Sequence, residues 1–351
     1  MPPLARRDVR NLVRKLGADA RPSQQRQALA AIGALCGIGQ VLHIRDVDRE
    51  GLAAIVAAGA IPPLVQLLGP GSQADMQQAA AGILNFLALN VGDIASIAAT
   101  GAIPLLVQLL QPDAPSPIQS SASAVLMRLA RNAETAVTIA AAGAIPPRLL
   151  GPDSSTVLQA NVAEALAKIA WYGECATTVA GAGAIPPLVR MLDTGSSAGM
   201  QQNATGALGI LSEDSENAAT IAAAGAIPLL VRLLGAGSPA AVQKGAAGAL
   251  RTLSKHTENV ATIAAAGAIP LLVQLLGTGS EAGAQQSAAG VLSRIVLVEG
   301  SAPIARGVYI PSAATENVAT IVAAGAVPLL VQLLRPRSGA DTQLTEPPRS
   351  L

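Results

Sequence analysis

Apolar positions along this chain recur in the same three-part order. Around Glu258–Ser293, Thr257-Glu258-Asn259 places an oxygen-bearing side chain and an acid ahead of a short apolar segment, Val260–Ala266. A helix N-terminus favours both, for its unpaired N–H groups and its dipole. Gly267 supplies a left-handed stop. Ile269 precedes a proline and is driven towards extended geometry, so Pro270 is expected at the first position of a second helix, where its missing N–H costs nothing. That helix, LLVQLL, is apolar on nearly every side except Gln274, which predicts burial between neighbours. Gly277-Thr278-Gly279-Ser280 ends it and caps a third helix, AGAQQSAAGVLSRI, whose Ala288, Val291, Leu292 and Ile295 recur at three-to-four spacing. In other copies Ser116-Pro117 and Ser238-Pro239 read as a capping Ser before a first-turn Pro.

The unit is repeated. Gly-Ala-Ile-Pro begins at Gly59, Gly101, Gly143, Gly183, Gly225 and Gly267, and Gly-Ala-Val-Pro begins at Gly325. Successive copies lie 42, 42, 40, 42, 42 and 58 residues apart. The short interval loses two residues after Pro147, where PPRLL replaces the PPLVRML that follows Ile185; the long one carries 16 extra residues near Leu297–Ser312. A period near 42 predicts a stacked helical solenoid in place of the two or three globular domains that 351 residues would otherwise suggest.

Three helices in about 42 residues resembles the armadillo repeat, whose second helix often reads GAIPPLVQLL, very much as Gly59–Leu68 does here. The resemblance spans about Glu50 to Leu334 and implies an all-α, right-handed superhelix of seven to eight repeats. Residues 1–46 are expected to form a degenerate N-terminal capping half-repeat, with Val9–Ile38 as a second-plus-third helix pair and Arg6, Arg7, Arg10 and Arg14 facing outward. Repeats then occupy 47–335, with the insertion 297–312 as a loop, and 336–351 form a polar tail. The last repeat lacks a complete third helix, so its apolar second helix is covered by the tail, stacks on another chain, or continues into a longer protein.

Composition narrows the classes. Hydrophobic residues make up 51% of the chain and charged ones 13%, with net charge +1, yet the rings number one Phe, one Trp and two Tyr. Disorder is excluded by the apolar content. Nucleic-acid binding lacks both a basic field and stacking rings. Mean hydropathy is +0.46, and Gly51–Ala74 and Asn259–Ser280 are uncharged over 24 and 22 residues. Gly-Ala-Ile-Pro cuts each of them in two, so no spanning helix of about 20 residues is expected. The N-terminal MPPLARRDVRNLVRKLG has no apolar core and is not read as a signal peptide. Cys36 and Cys175 have no metal or redox spacing and are taken as buried thiols, with a disulfide left open. The expected location is the cytoplasm, with the nucleus also open.

No residue pattern carries catalysis, so the chain is expected not to be an enzyme and to need no metal or cofactor. Of the two histidines, His43 and His256, the second is read as a solvated loop residue between repeats. Gly-x-Gly strings such as Gly181 with Gly183 recur with the repeat and are turns, not phosphate loops. Asn203-Ala-Thr205 matches a glycosylation acceptor but falls inside the third helix. Glu216, Glu258 and Glu316 sit at helix starts as caps.

The resemblance implies that third helices line a concave groove. In nuclear-import adaptors of the family a Trp and, four residues on, an Asn hold an extended peptide there. The Trp positions correspond here to Gly82, Ala124, Glu164, Gly206, Gly248 and Gly290, and the Asn positions to Phe86, Arg128, Lys168, Ile210, Thr252 and Arg294. Both ladders are missing, which disfavours basic import peptides. Gln78, Ser120, Gln202, Lys244 and Gln286 one turn earlier, with Arg128, Lys168, Arg251 and Arg294, form a polar, mildly basic strip. Either it takes an acidic or phosphorylated partner segment, or it is the solvated face of the helices. Phe86, Trp171-Tyr172 and Tyr309 are further places for contact. The expected function is a non-catalytic protein–protein interaction scaffold. The repeats are similar to those of plant U-box ligases, which leaves a substrate-recruiting part of a ubiquitin ligase as the alternative. They are also similar to those of the vacuole-inheritance scaffold, whose lipidated N-terminal glycine is not matched by Pro2.

Overall fold

The glycine that opens each Gly-Ala-Ile-Pro string sets the architecture. In the computed structural model, which describes residues 6–37, 49–143, 146–277, 279–300 and 313–334, all seven of these glycines have positive φ, 79° at Gly225, Gly267 and Gly325. An L side chain in that conformation costs about 1–2 kcal/mol. One helix stops there and the next starts beside it, so Val91–Ala99 and Ala102–Gln108 meet at 80°, and Thr257–Ala265 and Ala268–Leu275 at 91°.

Proline contributes differently from expectation. Ile269 is helical and Pro270 is the third residue of Ala268–Leu275. In Ile61–Gln66 and Ile185–Arg190 proline is second. The first turn of any helix has N–H groups without partners, so proline is tolerated throughout it. The break itself belongs to the glycine.

Seven third helices, numbered α1 to α7, form one layer among the described residues: Pro22–Leu35, Ala74–Leu87, Ser116–Leu129, Thr156–Ala170, Ala198–Leu211, Ala240–Leu253 and Ala282–Gly300. Each packs on the next in chain order. The first and second helices of the repeats cover the other side. Aliphatic columns run through the stack at the repeat spacing: Ile97, Ile139, Ile221 and Ile263 from first helices, Leu64, Leu106, Leu188, Leu230 and Leu272 from second helices, and Leu84, Leu126, Leu208 and Leu250 from third helices, all fully buried. Each such side chain contributes about 1.5–3 kcal/mol on burial. Layers this thin are filled without rings.

Capping departs from the sequence reading in detail. Ser116 is the first residue of α3, with Pro115 at the cap position, and Pro239 occupies that position before α6; neither Ser116 nor Ser238 caps. Ser155 and Ser197 do, accepting from the N–H groups of Leu158 and Met200 at 3.2 and 3.4 Å. Before the first helices the cap lies one residue earlier than Thr257 suggested. Asn132 and Asp214 accept from the N–H groups of Thr135 and Asn217 at 3.2 and 2.9 Å, and the corresponding residue in the next repeat is His256, which does not cap. Glu216 and Glu258 stand in first turns as helix-dipole partners.

The irregular repeats are also resolved. Two missing residues leave only a 3₁₀ turn, Pro147–Leu150, where a second helix would stand. Its Leu149 and Leu150 remain buried. Arg148 Nη2 donates to the carbonyl of Leu110 at 3.0 Å and so holds the shortened repeat to the one before. The insertion begins as helix, because α7 continues to Gly300, and Leu297–Gly300 are not loop as expected. Residues 301–312, the tail 336–351, His43, Tyr309 and Glu316's side chain lie outside the described residues. At the N-terminus Arg6–Arg14 and α1 form the anticipated helix pair, with Arg10 and Arg14 exposed.

Candidate functional site

Side chains of α1 to α7 that point away from the aliphatic columns make a continuous polar face. Gln78, Gln202, Lys244, Arg251, Gln286 and Arg294 are exposed on it, and Arg128 and Lys168 are half-buried. Open depressions lie between neighbouring helices. One, of about 590 Å³, is lined by Arg26, Asp75 and Gln78 between α1 and α2. A second, of about 350 Å³, is lined by Asn85, Ser120, Ser121, Arg128 and Asn161. The third, of about 510 Å³, lies between α4 and α5 and is lined by Arg131, Glu164, Lys168, Trp171, Gln202 and Asn203.

The cations of this face are not equivalent. Lys168 is tied to Glu164 one turn earlier on α4, and Lys244 Nζ lies 3.2 Å from Glu281 Oε2, just before α7. Both are exposed or nearly so, where such pairs contribute only about 0.2–1 kcal/mol and open readily to a competing anion. Arg128 is half-buried, and its Nε donates to Asn85 Oδ1 at 2.6 Å. Burial first, and the neighbouring Arg131 second, lower the hold of Arg128 on its proton, while Glu164 opposes them. Arg26 and Asp75 pair at 2.7 Å, and the hydrogen bond from Arg26 holds the Asp75 carboxyl below the usual carboxylate range.

Phe86 is half-buried and packs against the core. His256 is corrected: it lies between helices as expected but is half-buried and not simply solvated, with Nε2 2.9 Å from the carbonyl oxygen of Ser212 in the preceding repeat. Asn203 lies within α5 and donates to the carbonyl of Ala160 at 3.2 Å. Asn161 likewise reaches the Ser120 carbonyl and Ser123 Oγ at 3.3 and 3.2 Å. These asparagines stitch adjacent third helices together on the polar face.

Sequence reasoning missed Asn85 and Arg131. The separation of Asn85 from Arg128, one repeat plus one residue, was a signal available once the period was known. Cys36 and Cys175 are buried and form no disulfide, and burial pushes the Cys36 thiol up to about 12. No group of His, Cys, Asp or Glu among the described residues is placed to hold a metal ion. No single helix among them is long and apolar enough to cross a membrane.

The Armadillo/beta-catenin-like repeat model matches residues 48–85, 174–213, 214–255 and 256–297. Among solved structures, an engineered protein superposes with a TM-score of 0.78 at 29% identity, over 94% of this chain and 74% of the other. A second engineered protein is 32% identical, with a TM-score of 0.61 over 67% of this chain and 97% of its own. A designed armadillo repeat protein in complex with peptide (KR)4 is 26% identical, with a TM-score of 0.60 over 70% of this chain and 99% of its own. A comparison with curated proteins gives no match. Repeat period, helix order and these matches agree: the chain belongs to the armadillo repeat family.

Proposed function

We propose that this protein is a non-catalytic scaffold of the cytoplasm or nucleus that holds an acidic or phosphorylated segment of a partner protein along the face of α1 to α7. The observation that carries the reading is the set of basic side chains on four of the seven third helices: Arg128 on α3, Lys168 on α4, Lys244 and Arg251 on α6, and Arg294 on α7. They face solvent or sit at its edge, away from the aliphatic columns. A designed protein of the same fold holds a peptide of alternating basic residues. The set here carries the same positive sign as that peptide, so an acidic segment is the better match. Helices 8–10 Å apart give seven of them a face of about 60 Å, long enough for many weak contacts in series.

The test is a triple variant, Arg128→Glu, Lys168→Glu and Arg294→Glu, measured by anisotropy against labelled Glu-rich and phosphoserine peptides. Binding by the parent and its abolition in the variant is the expected result. Unchanged affinity in the variant rules the reading out.

A further inference from the structure

The polar face is not uniform along its length. Its large exposed ring, among the described residues, is Trp171, 72% exposed at the C-cap of α4. Phe86 and Tyr172, by contrast, pack on the core. A bare indole is the kind of side chain that anchors a partner, because it offers a wide apolar surface at little cost in conformational entropy. It opens onto the depression shared with Ile210, Gln202 and Arg131.

Arg131 is positioned by this same corner of the fold. The Tyr172 hydroxyl donates to the Arg131 carbonyl at 2.8 Å, which fixes the turn after α3 against the turn after α4. Arg128 stands one turn back on α3, near enough for the two guanidiniums to repel each other. Neither arginine forms an ion pair among the described residues. Lys168 already has Glu164. Arg131 is exposed and lines the same depression as the ring, whereas Arg128 is half-buried and lines the neighbouring one with Asn85. An anion on Arg131 gains strong charge-assisted hydrogen bonds there. Glu164 in the same depression disfavours a dianion and leaves a monoanion as the fitting charge.

We propose that Trp171 and Arg131 form an anchoring subsite for an acidic, amphipathic peptide segment, in which a carboxylate pairs with Arg131 and a neighbouring large apolar side chain lies on the indole. This assignment rests on the groove reading above and narrows it to carboxylate chemistry and to one end of α4.

Trp171 is the only tryptophan of the chain, so its emission reports contact directly. The full chain is titrated with labelled, blocked octapeptides of alternating Glu and Leu, Glu and Ser, Lys and Leu, and phosphoserine and Leu, following label anisotropy and Trp171 emission together. The Glu-Leu peptide is expected to bind best, with emission and anisotropy moving at one midpoint. Trp171→Ala and Arg131→Glu should each weaken it about tenfold or more by anisotropy. Circular dichroism of Trp171→Ala should stay that of the parent, since the ring is exposed. Binding that leaves the emission still and the Trp171→Ala affinity unchanged, yet is lost in the Arg128, Lys168 and Arg294 triple variant, overturns this subsite and leaves the groove reading intact. Binding that survives the triple variant overturns the groove reading as well. Preference for the Lys-Leu or phosphoserine peptide, or no binding of the Glu-Leu peptide, overturns the carboxylate assignment.

Discussion

Gln25 Nε2 donates to the carbonyl oxygen of Gly17 at 3.0 Å, eight residues back, across the turn between the first two described helices. The same bond recurs in every described repeat that has a third helix: Gln77 to Gly69 at 2.9 Å, Gln119 to Gln111 at 2.8 Å, Gln159 to Gly151 at 2.5 Å, Gln201 to Asp193 at 2.9 Å, Gln243 to Gly235 at 2.8 Å and Gln285 to Gly277 at 2.7 Å. The carbonyls at the end of a second helix have no intrahelical partner. The glutamine satisfies them and sets the angle at which the third helix leaves. Its presence at Gln25 shows that the N-terminal pair is built like a repeat.

Neighbouring glutamines therefore have opposite duties, and substitution separates them. Gln201 is buried with its carbonyl partner, whereas Gln202 is exposed on the polar face. Gln201→Leu strands an acceptor and should cost about 1–3 kcal/mol in urea unfolding. Gln202→Leu should stay within about 0.5 kcal/mol. Equal losses in the two variants would refute the role given to the first.

The two glutamines also show what is legible in the sequence and what is not. Gly267 and the apolar second helix announce themselves through local backbone chemistry, so period, helix order and superhelix follow from the letters alone. In the string QQ at Gln201 and Gln202, nothing in composition distinguishes the lock from the exposed neighbour; the bond of Gln201 closes eight residues back, through the angle between two helices. The site behaves likewise. Lys168 four residues after Glu164 is a helical pair that the spacing already contained. The meetings of Lys244 with Glu281, Arg128 with Asn85 and His256 with Ser212 are set by repeat-to-repeat stacking and lie 37, 43 and 44 residues apart. Charge on the face could be read from residue types, but which charges are already satisfied could not.

Glycines within the third helices divide in the same way. Gly248 has open space where a Cβ would stand, and Gly245, three residues earlier on α6, would push one into the Thr205 hydroxyl of α5. Gly248→Ala should stabilise the chain by about 0.5–1 kcal/mol through the entropy of the unfolded state. Gly245→Ala should destabilise it by about 1–3 kcal/mol, as overpacking between two buried helices does. Thermal melts of the two variants check the pair, and shifts of the same sign would contradict the packing of α5 on α6.

Gly225 supplies a third test of the backbone reading. Its φ of 79° is strained for any L side chain, although nothing lies within 4 Å of a built Cβ. Gly225→Ala should thus lose about 1–2 kcal/mol with no clash to blame. Asparagine tolerates the left-handed region better, so Gly225→Asn should lose less than Gly225→Ala despite its greater bulk. The reverse order in denaturant midpoints would mean that space, not φ, governs this position.

Cys36 links the fold to pH. The thiol is 1% exposed, and desolvation pushes it to about 12, against an ordinary value of 9.0. The folded state therefore keeps a proton that the unfolded chain gives up once pH passes the ordinary value. Stability from this source is complete below about pH 9 and is lost as pH rises from there towards 12, because the unfolded state binds fewer protons over that interval. Below pH 8 the parent and Cys36→Ala should respond to pH in parallel, the variant weaker by its lost packing. Between pH 9 and 11 the parent should lose urea stability more steeply than Cys36→Ala, and a thiol reagent should modify Cys36 only at the rate of opening. Parallel pH profiles through that alkaline interval would show that Cys36 reaches solvent in the folded chain and is not sealed into the end of the solenoid.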